Sequence, residues 1–111
     1  MGNSQKPLNK AVPCLKKAEA LLATRTIAEH IQGHLDALLC FQYYVAIDGE
    51  RALTCAQRAC EKLPRKHRWA RVFAYAGRGM AHQMLGERAK ALVAIEEAMS
   101  ESELSSGVSQ G

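Results

Sequence analysis

The chain has 111 residues, enough for one small domain with a modest core. Fifteen Lys and Arg against eleven Asp and Glu leave a net charge of +4, which suits an acidic partner without calling for nucleic acid. Aromatic residues are only 5% and alanine is abundant, a composition that disfavours a β-sandwich and favours closely packed helices.

Residues 1–12 are polar, and a flexible N-terminus is expected there. Pro13 suits the first turn of a helix, where its missing N–H costs nothing. Cys14, Leu15, Ala18, Leu21 and Leu22 then recur at helical spacing to about Ala23. Thr26-x-x-Glu29 has the form of a capping box, and it opens a helix through Ile27, Ile31, Leu35, Leu38, Leu39, Phe41, Val45 and Ile47 that Asp48-Gly49 stops. A third helix, about Glu50 to Lys62, carries Leu53, Ala56, Ala59 and Cys60 and ends before Pro64. A fourth runs from about Trp69 to Leu85. Its Gly77 and Gly79 each cost roughly 1 kcal/mol relative to alanine, and close approach of another helix is the reason to expect them there. Gly86 breaks the chain before a fifth helix, about Arg88 to Met99, with Ala91, Leu92, Ile95, Ala98 and Met99 on its pattern. From Ser100 onward Ser, Gly and Glu dominate, so 13–100 is read as the folded domain and 101–111 as a disordered tail.

No apolar run approaches the roughly 20 residues that span a bilayer, and Met1 to Lys10 lacks the apolar segment of a secretory signal. A cytoplasmic chain with no membrane partner is expected. Cys14, Cys40, Cys55 and Cys60 form no C-x-x-C pair and lie within apolar runs. They read as small core residues that label slowly, with a metal or disulfide role as the alternative.

The strongest pattern is internal. Ala52-x-x-x-Ala56-x-x-Ala59 returns 39 positions later as Ala91-x-x-x-Ile95-x-x-Ala98, with Leu53 on Leu92 and Cys60 on Met99. Gly-Glu-Arg-Ala precedes each copy, at Gly49 and at Gly86, but 37 apart, so on sequence the turn slips two residues against the helix. Such a period is the mark of stacked helical hairpins, which bind more often than they catalyse.

Residues 36–64 and 75–99 resemble tetratricopeptide repeats. The first copy offers Leu39, Cys40, Tyr43, Ala52, Ala56, Ala59 and Pro64; the second offers Tyr75, Gly79, Ala91, Ile95 and Ala98. The second departs from the pattern at Arg78, where Leu is usual, at His82, where Tyr is usual, and at Glu103, where Pro is usual. The period of 39 exceeds the roughly 34 of those repeats. It is similar to that in the large ATP-dependent LuxR-type transcription activators of the maltotriose-responsive kind, as are Lys16 to Ala23, Arg58 to Pro64 and Gly79 to Gly86. No Gly-x-x-x-x-Gly-Lys-Ser/Thr occurs, and too few residues follow Met99 for a helix-turn-helix. A fragment of such a regulator, or a separate small protein of similar build, would fit.

The resemblance implies an all-α fold of about five helices, antiparallel hairpins stacked as a short right-handed solenoid. It also implies a groove lined by the first helix of each hairpin: His34, Ala37, Phe41, Tyr44 and Val45, then Phe73, Ala76, Met80, Gln83 and Met84. An aromatic and Met-rich lining suits an apolar helix or extended peptide. The competing reading is that these side chains are core or are covered by a further repeat. The stretch Lys62, Arg65, Lys66, Arg68 and Arg71, with Trp69 inside it, is a solvated basic turn or a contact for an anion or acidic peptide. Nucleic acid is not expected through this domain. His30 and His34 stand one helical turn apart, as zinc ligands do, but no further ligand is evident in sequence, so no metal and no cofactor are expected. His67 and His82 have no evident partner. No nucleophile has an orienting base, so no enzyme is expected; a thiol enzyme built on Cys40 is the reading to test.

The favoured expectation is a protein-interaction module that takes a partner helix or peptide on Phe41, Tyr44, Phe73 and Met80. The alternative is the sensor segment of a LuxR-type regulator that binds a small effector or self-associates. The apolar last helix has nothing to cap it, so a homodimer or a bound partner is expected on that end.

Overall fold

The computed structural model describes residues 6–23 and 28–106. It contains α1 (Lys6–Ala23), α2 (Glu29–Val45), α3 (Gly49–Lys62), α4 (Arg68–Met84) and α5 (Arg88–Ser106). The all-α expectation holds, and the described residues include no strand.

The outer boundaries differ from those read in sequence. α1 begins at Lys6, so Pro13 lies in its interior, where a missing N–H and a ring clash cost about 3 kcal/mol. Val12 and Leu15, on either side of it, pack on the core and work against that cost. α5 continues past Met99 to Ser106. Glu101, placed in the tail on sequence, accepts a bond from Arg71 at 3.3 Å and is half-buried. Thr26 of the expected capping box lies outside the described residues; the N-cap of α2 is Ala28, with no side-chain bond.

The two hairpin turns share one geometry. After α2, Ile47 N–H donates to Tyr44 O and Asp48 N–H to Tyr43 O, at 2.9 Å each. After α4, Gly86 N–H donates to Gln83 O at 3.0 Å and Glu87 N–H to His82 O at 2.8 Å. Both are Schellman closures, and every member of one lies 39 residues from its counterpart. The Gly-Glu-Arg-Ala match at 37 is therefore not structural. Gly49 opens α3 and is packed under Leu85 and Met84, whereas Gly86 sits in the left-handed turn at φ +79°. Asp48 then caps α3 by accepting from Arg51 N–H at 3.2 Å.

The helices pack in chain order, α2 on α3, α3 on α4 and α4 on α5, while α2 also touches α4 and α1 lies on α2. Most of the core is small. Leu39, Cys40, Tyr43, Ala52, Cys55, Ala56 and Ala81 form one cluster; Ala37, Ala59, Leu63 and Ala74 form another. Small side chains let helix axes approach, and the α4 glycines carry this furthest. A Cβ on Gly77 would meet Cys40 Sγ at 2.9 Å on α2, and one on Gly79 would meet Ile95 Cδ1 at 2.8 Å on α5. The two glycines thus seat α4 between neighbours on opposite sides. α5 turns Ala91, Ala94 and Ala98 inward and leaves Leu92, Val93 and Met99 at the surface.

Candidate functional site

α2 and α4 run side by side in the same direction: His34 faces Ala70 and Phe73 near their starts, and Cys40 with Phe41 faces Gly77 further along. On α2 the stripe Ile31, His34, Leu38, Phe41 and Val45 advances by three and four residues. On α4 the stripe Trp69, Phe73, Ala76, Met80 and Gln83 does the same. Phe41 meets Phe73 edge to face, with ring centroids 4.2 Å apart, a favoured aromatic geometry. Beside this pair lies a shallow cleft of about 160 Å³, lined by His34, Ala37, Leu38, Ala70 and Phe73. Leu38, Val45 and Trp69 are more than half exposed, and Ile31 and Phe73 nearly so.

Of the expected groove residues, His34, Ala37 and Phe73 line this cleft, with Phe41 against Phe73 beside it. Met80 is half-buried and Gln83 exposed, further along α4. Tyr44 is half-buried against the cluster of Leu39, Cys40 and Tyr43. Met84 packs towards Gly49 at the start of α3. Leu38 and Ala70 were missed, although Leu38 continues the three-and-four spacing of its own helix and was readable from it.

The basic turn does not act as one patch. Lys62 pairs with Asp36 at 3.1 Å. Arg71 donates to Leu63 O at 2.8 Å and pairs with Glu101, stitching the α3–α4 turn to α5. Arg65, Lys66 and Arg68 are exposed, as is Trp69.

An ionic network invisible in the sequence joins the first three helices. Glu19 of α1 accepts from Arg58 of α3 and, at 2.9 Å, from the hydroxyl of the fully buried Tyr43. Arg58 also reaches Asp36 of α2 at 3.2 Å. Burial pushes the Glu19 carboxyl up, but the hydrogen bonds from Arg58 and Tyr43 outweigh it and hold the group below its ordinary value. Glu19, Asp36 and Arg58, with Lys16, Ala20, Ala23, Gln32 and Lys62, line a cleft of about 510 Å³ whose charges largely pair with one another.

Two of the three departures from the repeat pattern also meet. Arg78 and His82 line a second cleft of about 400 Å³ with Gln57, Lys90, Val93 and Glu97. His82 does have a partner, Glu87 Oε1 at 2.7 Å from Nδ1.

Three of the four histidines converge. His67, the N-cap of α4, makes no side-chain cap bond and lies between His30 and His34, with ring centroids 5.6 and 5.2 Å away. Its Nδ1 is 3.2 Å from His34 Nε2. Gly33 permits this: a Cβ there would meet Leu63 Cγ at 2.9 Å, so the end of α3 lies directly on α2 and the following turn brings His67 across. Sequence spacing showed the pair on α2 but not the third imidazole.

The cysteines divide. Cys40 and Cys55 are buried, and desolvation pushes both thiols up to about 12, away from a nucleophile's requirement. Cys60 is half-buried, with its thiol also raised. Cys14 is exposed, against the expectation that all four are core.

Among the described residues no helix is long and apolar enough to cross a membrane. Comparison with protein-family models, with curated proteins and with solved structures gave no match.

Proposed function

We propose that this chain is a short tetratricopeptide-like interaction module that takes an amphipathic helix or apolar peptide on the face shared by α2 and α4. One observation carries the reading: two neighbouring helices running in the same direction each turn a three-and-four-spaced stripe, rich in exposed apolar side chains, towards the same side. Ile31, Leu38 and Val45 lie on one stripe, Trp69 and Phe73 on the other. A third helix laid along that seam would bury its own stripe against both, the helix-in-groove mode of recognition. Contiguous exposed apolar surface of this kind is uncommon on a chain without a partner. The Phe41–Phe73 pair forms the floor, His34 and Gln83 supply polar contacts towards its ends, and the exposed Leu92, Val93 and Met99 of α5 offer a second face for self-association.

The effector-sensing alternative would use the same α2–α4 face for a small molecule. The cleft there holds only about 160 Å³, below the roughly 300–1,000 Å³ of small-molecule pockets, so the peptide reading is the better supported.

The test is capture from host lysate by wild type and by Phe73→Glu and Leu38→Glu. Both positions are exposed, so circular dichroism of each variant should match wild type. A protein retained by wild type and lost by both variants supports the groove; undiminished capture by both rejects it.

A further inference from the structure

We propose that His30, His34 and His67 bind a divalent transition-metal ion of the zinc class at the α2 N-terminal end of the groove. The sequence provides two imidazoles one helical turn apart on α2, and the fold adds the third from the α3–α4 turn. Two imidazole nitrogens bound to one tetrahedral zinc at 2.0–2.1 Å lie about 3.3 Å apart, and His34 Nε2 and His67 Nδ1 stand 3.2 Å apart with no metal between them. That separation serves a shared proton or a shared cation alike.

The cluster also has room to close around a cation. As they stand, no three of the described His, Cys, Asp or Glu residues are arranged to hold a metal ion, and His30 meets His67 edge-on at 88°. His30 and His34 are both exposed, which leaves their rings room to turn, and their ring centroids already stand 5.6 and 5.2 Å from that of His67. Lys66 opposes the charge and sets a limit on affinity.

Three protein nitrogens leave a fourth tetrahedral position open. His34 also lines the apolar cleft with Leu38 and Phe73, so that position adjoins the groove, where a water or a donor from a bound chain would complete it. The metal site itself does not depend on the groove reading.

The probe is zinc alone. Chelator-treated protein carrying Cys14→Ser, which removes the exposed thiol, is titrated with Zn²⁺ in competition with a chelating dye, and cobalt absorption is recorded in parallel. One equivalent is expected to bind, about a hundredfold more weakly in His67→Ala and in His30→Ala, and to be released as the pH falls below 6. The visible cobalt bands should be those of a tetrahedral site. Helicity of each variant is checked by circular dichroism, and His67→Gln provides a second variant if His67→Ala fails to fold. Binding that is absent, or equal in wild type and the His67 variants, overturns the proposal. Loss with His67→Ala but not with His30→Ala overturns the three-histidine site.

Discussion

Ile47 and Gly86 occupy the same place in the two hairpins, 39 residues apart, both in the left-handed region at φ 60° and 79°. Each supplies the N–H that closes the end of the first helix of its hairpin. Glycine adopts this conformation freely, but a β-branched residue there is a steric outlier.

Ile47→Gly should therefore raise stability. Relief of the left-handed conformation is worth about 1–2 kcal/mol, and the greater freedom of glycine in the unfolded chain takes back about 0.5–1 kcal/mol. Ile47 is 69% exposed, so little burial is lost. Urea titration should show a higher midpoint at unchanged slope, by about 0.5–1 kcal/mol. A lower midpoint would mean that Ile47 makes a contact worth more than its conformation costs.

This pair also shows what the sequence made legible. Helix periodicity and the alanine repeat placed α2, α3, α4 and the start of α5 within a few residues, because a buried stripe of Ala52, Ala56 and Ala59 has to recur wherever a helix packs closely. The turn register was misread because Gly49 and Gly86 look alike in sequence yet serve different ends, one yielding space to Leu85 and the other supplying backbone freedom. The ends of α1 and α5 were hidden because polar composition predicts exposure, not helix length. Arg71–Glu101 is a contact across 30 residues that no local pattern announces. The same holds for the site. Phe41 and Phe73 followed from repeat spacing, while His67 beside His34 depends on how tightly Leu63 lies on Gly33.

Acid should loosen the fold in two stages. His67 is held below its ordinary 6.5, so the unfolded chain takes up its proton first; its contribution is present above pH 6.5 and is lost as the pH falls through the folded value. Glu19 is held below 4.5 by Arg58 and Tyr43, so its contribution is present above 4.5 and is lost as the pH falls through its own lower folded value. Thermal melts from pH 8 to 3 should show both declines. Glu19→Gln should lower stability at pH 7 by about 1.5–3 kcal/mol, the range for a hydrogen bond to a charged group, and flatten the decline below pH 4.5. Because Glu19 ties α1 to Tyr43 and Arg58, amide exchange in α1 should quicken most. An unchanged α1 in that variant would show that Val12 and Leu15 suffice to hold it.

Thiol labelling separates the four cysteines. Burial raises Cys40 and Cys55 from 9.0 to about 12, which leaves about a thousandfold less thiolate at neutral pH, and both side chains are inaccessible. With iodoacetamide at pH 7.5, one equivalent should react quickly, at Cys14, and Cys14→Ser should abolish that phase. Rapid modification of Cys40 in the folded protein would instead reinstate the thiol-enzyme reading.

Gly77→Ala sets two effects of opposite sign against each other. Helix propensity favours the alanine by about 1 kcal/mol. Packing opposes it: the new methyl group would lie 2.9 Å from Cys40 Sγ and 3.3 Å from Phe41 Cε2. Cys40 is 1% exposed and has no space to retreat into, so α2 and α4 must separate. Overpacking of this kind costs about 1–3 kcal/mol, and the net change should be a loss of up to about 2 kcal/mol. The separation would also pull Phe41 from Phe73 and widen the seam on which a partner helix would lie. Gly77→Ala should therefore weaken partner capture while leaving helicity intact. Gly86→Ala, with nothing within 4 Å of its added Cβ but a φ of +79°, should cost stability without touching the seam. A gain in stability for Gly77→Ala would mean that the two helices are held apart by more than this glycine, and the close approach of α2 and α4 would have to be abandoned.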